Sequence, residues 1–111
     1  MHASIIGLKP SQAREFCTRL WLELTIAGRS IWSDEDITRD AQLNSLKWLN
    51  EIQHRVWGTY VSAHPSTVQL LDQILAYSTQ APELQTHLRV ALDRAMLAAT
   101  GGEGAPTGPA P

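Results

Sequence analysis

The sequence predicts an all-α protein, a small antiparallel bundle of about four helices with a disordered C-terminal tail. Three observations predict it. Apolar residues recur at helical spacing along four segments. Proline and glycine breaks separate those segments, and the links are short enough to favour antiparallel neighbours. No segment alternates apolar and polar residues over a useful strand length. Residues 1–100 read as one helical domain and 101–111 as the tail. Three packed helices with the fourth docked across them would satisfy the same pattern.

The first helix runs from about Pro10 to Ile31. Proline suits its first turn, where the missing N–H costs nothing. Phe16, Leu20, Leu24, Ala27 and Ile31 form its main apolar stripe, and Leu22 and Ile26 lie on the far side. Ser33 is placed to cap a second helix, with Asp34, Glu35 and Asp36 facing the positive helix end. A start near Asp40 is the alternative. This helix runs to about Ser62, with Gly58 inside it at a cost of about 1 kcal/mol relative to alanine. Its main stripe is Leu43, Leu46, Leu49, Val56, Trp57 and Tyr60, while Trp48 and Ile52 point the other way.

His64-Pro65-Ser66 breaks the chain, because the residue before a proline is pushed out of the α region. A third helix follows from Pro65 to Ser78, with Val68, Leu71 and Leu75 on one face and Leu70, Ile74 and Tyr77 beside them. The fourth spans about Pro82 to Ala99 on a stripe of Leu84, Leu88, Ala91, Leu92 and Ala95, and Gly101 is placed as its C′ residue. Beyond it come only Gly, Ala and Pro with one Glu and one Thr. Such a segment has no large side chain to repay the entropy of ordering.

Composition narrows the function classes. Of 111 residues, 43% are apolar and 18% charged, below the usual quarter. A surface so lightly charged often lies partly covered in an assembly. A net charge of −2 and a pI near 6.0 argue against nucleic acid and against polybasic attachment to a membrane. The third helix has no Lys or Arg and cannot serve as a recognition helix. Met1 to Gly7 lacks the features of a signal peptide, and no stretch approaches the roughly 20 apolar residues of a membrane span. The single cysteine, Cys17, cannot form an intramolecular disulfide, which fits a reducing cytoplasm; it lies on the main stripe as a small core side chain. No phosphate-binding glycine loop, C-x-x-C or nucleophile-elbow motif is present.

Two groups of residues stand out. The first is a polar cluster of Asn50, Glu51, Gln53 and His54. Gln53 falls inside the apolar arc, and a buried amide without partners costs about 1–3 kcal/mol. It should therefore find one in the fold, such as the hydroxyl of Tyr60 or Tyr77 or a helix end. Glu51 and His54 have the E-x-x-H spacing of carboxylate-bridged metal bundles, but the second such pair is missing, and Glu83 and His87 are four apart. No metal or other cofactor is expected. The second group is the tryptophans. Trp57 reads as core. Trp21 and Trp32 flank Gly28 in projection and suggest a close helix–helix contact. Trp48 with Ile52 one turn on reads as an interface anchor, and Leu22 with Ile26 as the other candidate patch.

The resulting expectation is a small cytoplasmic protein-interaction module without catalytic activity of its own, forming a homo-oligomer or holding a partner protein, and binding neither nucleic acid nor membrane. The alternative is a ligand- or metal-binding bundle with a polar site at Asn50, Gln53 and His54.

Overall fold

The computed structural model describes residues 8–101. The disordered tail expected for 101–111 lies outside them from residue 102 onward. The fold is all-α: α1 (Pro10–Trp32), α2 (Arg39–Val61), α3 (Thr67–Ser78), a single 3₁₀ turn (Pro82–Leu84) and α4 (Gln85–Ala99).

Local chemistry sets the boundaries. Pro10 opens α1, and the Gln12 side chain accepts from the Lys9 backbone N–H at 2.9 Å. Ser33 closes this helix instead of opening the next one. Its hydroxyl donates back to the Arg29 carbonyl at 2.6 Å, so it is spent on the end of α1. The acidic run that follows forms the link, where an Asp34 carboxylate oxygen accepts from the Asp36 N–H. Thr38 is the cap of α2, accepting from Ala41 N–H at 3.1 Å, with Asp40 in the first turn. Ser66 caps α3 in the same way through Gln69 N–H, which leaves Pro65 ahead of the helix. At the end of α4, Gly101 adopts φ +68°, the left-handed conformation that a C′ residue requires.

Cross-helix bonds establish the antiparallel order. Arg14 near the start of α1 donates to the Ser62 carbonyl just past α2, and Gln42 near the start of α2 donates to the Ile31 and Trp32 carbonyls. Glu23 of α1 is bridged by Arg94 of α4 at 3.3 Å, and Asn44 of α2 donates to the Gln80 carbonyl beyond α3. Thus α1 packs on both α2 and α4, while α3 packs on α2. Between α3 and α4 a groove of about 600 Å³ stays open, walled by Ile74, Leu75, Leu88 and Leu92. Phe16, Leu20, Leu24, Ile31, Ile52, Ile74 and Leu84 fill the centre. The short dimension of 20 Å is two helix diameters.

The buried stripe of α2 departs from the expected one. It consists of Ser45, Leu49, Ile52 and Val56, whereas Leu43, Trp57 and Tyr60 face solvent. The cause is the position of α2 between two neighbours. Its core face is defined by the wedge between α1 and α3, not by the side that carries the largest apolar residues. In α3 the same happens on a smaller scale: Leu70, Leu71 and Ile74 are buried, and Val68 and Leu75 are exposed.

Candidate functional site

Of the two residues read as an interface anchor, Ile52 is internal and Trp48 is half-buried. Ile52 is 0% exposed within the single chain. Trp48 is half-buried, its ring 5.4 Å from that of Tyr77 on α3, with Lys47 over its face. Packing of α3 against this flank of α2 buries Ile52 and covers part of Trp48. Ile52 therefore cannot anchor an interface on an outer face of α2, as was expected of it together with Trp48. The other expected patch is differently placed: Leu22 and Ile26 are 50% and 45% exposed.

The polar cluster is dispersed around α2. Gln53 turns toward α1, where its amide donates to the Thr25 hydroxyl at 3.0 Å and the Trp21 carbonyl at 3.2 Å. These partners replace the tyrosine hydroxyls expected for it. Thr25 also donates to the Trp21 carbonyl, so the three groups form one small network. Asn50 and His54 are exposed, and Glu51 is half-buried toward the α3 side. Asn50 and Gln53 line a shallow groove of about 550 Å³ with Gly28, Trp32 and Leu46, but His54 takes no part in it. The Asn50, Gln53, His54 site is therefore not assembled as one pocket. Among the described residues, no three of His, Cys, Asp and Glu converge on a common point.

Two surfaces emerge instead. The first is the outer seam between α1 and α2. Trp57, expected in the core, is 56% exposed and stacks on Tyr60 with centroids 5.7 Å apart and planes at 22°. Trp21 meets Trp57 edge-on at 6.4 Å. With Cys17, Thr18 and Val56 they line a cleft of about 360 Å³. Further along the seam Trp32 is 57% exposed, under the Arg39 guanidinium. Gly28 lets the helices approach here: a Cβ on it would stand 3.1 Å from a Leu49 methyl. At the floor of the cleft, burial pushes the Cys17 thiol up to about 11 from an ordinary 9.0, with nearby Arg14 acting in the opposite sense. The thiol is neutral at ordinary pH, unsuited to a nucleophile.

The second surface is the outer face of α1 and α4. Ile26 and Val90 flank a narrow groove of about 150 Å³ between these helices. Leu22 lies one turn before Ile26, and Leu97 two turns after Val90; all four are exposed. Inside the groove, Glu23 is buried and paired with Arg19 at 3.0 Å and Arg94 at 3.3 Å. The Arg94 bond ties α4 to α1, the Arg19 bond lies within α1, and together they satisfy the only buried carboxylate among the described residues. No helix there is long and apolar enough to cross a membrane.

Comparison of the chain with protein-family models, with curated proteins and with solved structures finds no match in any of the three.

Proposed function

We propose that this protein is a small helical interaction module, without catalytic activity of its own, that pairs with a second copy of itself through the outer face of α1 and α4. The observation that carries this reading is the exposed aliphatic quartet Leu22, Ile26, Val90 and Leu97, drawn from two helices that pack side by side. On α1 the second apolar stripe read from the sequence stays about half exposed among the described residues, whereas Ile52 on α2 is fully buried. Large side chains presented together in this way mark docking faces. A two-fold pairing lays such a patch on its own copy and needs no second surface. The low share of charged residues supports the same reading. The lone cysteine, buried and reduced, supports a cytoplasmic setting.

Sedimentation equilibrium of the intact chain and of a Leu22→Glu, Ile26→Glu variant tests the proposal. The expected result is a dimer for the parent and a monomer for the variant, with equal helix content and thermal stability. A monomeric parent, or a variant that still pairs, would overturn it.

A further inference from the structure

The outer seam between α1 and α2 is a surface that pairing through α1 and α4 leaves unused. Arg14, Thr18, Trp21, Thr25, Gly28 and Trp32 follow one another at alternating steps of four and three residues, so they share one face of α1. The facing row on α2, Leu46, Asn50, Gln53, Trp57 and Tyr60, keeps the same spacing. Leu43 and Val61 extend that row, and both are exposed.

Two hollows open along the seam. One is the cleft of about 360 Å³ beside Trp21 and Trp57, and the other the groove of about 550 Å³ over Gly28 and Asn50. Trp21 and Gly28 are seven residues apart, as are Asn50 and Trp57, so the hollows stand about 10 Å apart along the helices. That distance is two helical turns, the interval between anchor side chains i and i+7 on one face of a docked helix.

Charge along the seam has one sign. Among the described residues no carboxylate lines either hollow. Arg14 stands one turn before Cys17 and Thr18, Arg29 lines the second hollow, and Arg39 lies over Trp32. None of the three forms an ion pair among the described residues, where both ion pairs belong to Glu23. Arg14 donates to the Ser62 carbonyl, and its guanidinium carries further N–H donors beyond that one. The acidic run Asp34, Glu35, Asp36 follows Trp32 in the link and lines neither hollow. The rings, meanwhile, are engaged with one another. Trp57 stacks on Tyr60 and meets Trp21 edge-on, so the trio forms an apolar wall and leaves Trp57 poorly placed to stack on a nucleobase. Aromatic and arginine side chains together are the residues that protein interfaces favour at their centres. We infer that the α1–α2 seam receives an acidic amphipathic helix of a partner protein. Its large apolar side chains at i and i+7 fill the two hollows, and carboxylates on its flanks meet Arg14 and Arg29.

The test titrates the intact ¹⁵N-labelled chain with synthetic helical peptides that carry Leu, Phe or Trp at i and i+7 and Glu along both flanks. The comparison ligands are the same peptides with Lys in place of Glu, and single-stranded oligo(dT). Indole N–H resonances are assigned by single Trp→Phe substitutions. The expected result is a saturable displacement of the Trp21, Trp32 and Trp57 signals by an acidic peptide, with Trp48, on the α3 side of α2, unmoved. The Lys peptides should bind at least about tenfold more weakly, and an Arg29→Glu chain should lose the acidic peptide to a similar degree. Arg29 and Trp57 are both exposed, so Arg29→Glu and Trp57→Ser should keep the parent's helix content, and Trp57→Ser should abolish binding. Failure of every acidic peptide to saturate would overturn the inference, as would equal affinity for the Lys peptides. Saturation by oligo(dT) alone would overturn it in favour of nucleic acid, and seam signals that move on concentrating the chain alone would assign the seam to a second copy. An Ile26→Glu chain, altered on the α4 side of α1, should bind the acidic peptide as the parent does, which separates this result from the α1–α4 pairing.

Discussion

Ser45 carries a conflict that a single substitution can expose. It sits in the buried stripe of α2, and its Oγ has no hydrogen-bond partner. A buried hydroxyl left unpaired costs about 1–3 kcal/mol, and alanine is the better helix former by several tenths. Ser45→Ala should therefore stabilise the fold by about 1 kcal/mol, read as a higher urea midpoint with an unchanged slope. Cys17 supplies a pH-dependent counterpart. Its folded-state pKa is raised, so the folded state holds the thiol proton more tightly than the unfolded chain does. That contribution is fully present below pH 9.0 and is lost as pH rises toward about 11. Denaturation across this window should show a fall in stability that a Cys17→Ala background lacks. A stability loss of equal size in both would contradict the assignment to this thiol.

At the scale of the elements, the number of helices and their breaks were legible in the sequence. Pro10, the Pro65 break and the Gly101 terminus each act through backbone geometry that belongs to one residue and needs no knowledge of the fold. The buried stripe of α2 was not legible. Trp57 and Tyr60 outweigh Ser45 in any hydrophobic pattern, yet the two-sided contact of α2 with α1 and α3 selects Ser45, Leu49, Ile52 and Val56. The one available signal was that Ser45 keeps helical spacing with Leu49, Ile52 and Val56, masked by its hydroxyl. The polar cluster failed for a related reason: Asn50, Gln53 and His54 share one face of α2, but α1 covers only the edge that carries Gln53 and leaves His54 in solvent. Substitution distinguishes the two stripes. Ile52→Ala removes fully buried atoms and should cost about 2–5 kcal/mol. Trp57→Ala trims a largely exposed ring and should cost much less. Chemical denaturation of the two variants checks this, and the reverse order would restore the stripe of large residues as the core face.

For the whole molecule, the arrangement leaves α1 central, shared between α2 and α4, and with apolar residues on both of its outer margins. One margin carries the aromatic cleft and the other the aliphatic quartet. Between the margins, buried Glu23 pairs with Arg19 of its own helix and with Arg94 across to α4. The most direct test is a dilution series of amide and methyl resonances on the intact chain. Self-pairing through α1 and α4 predicts concentration-dependent shifts at Leu22, Ile26, Val90 and Leu97, with Trp57 and Tyr60 constant. Spectra that do not change with concentration, or changes confined to the α1–α2 seam, would contradict it.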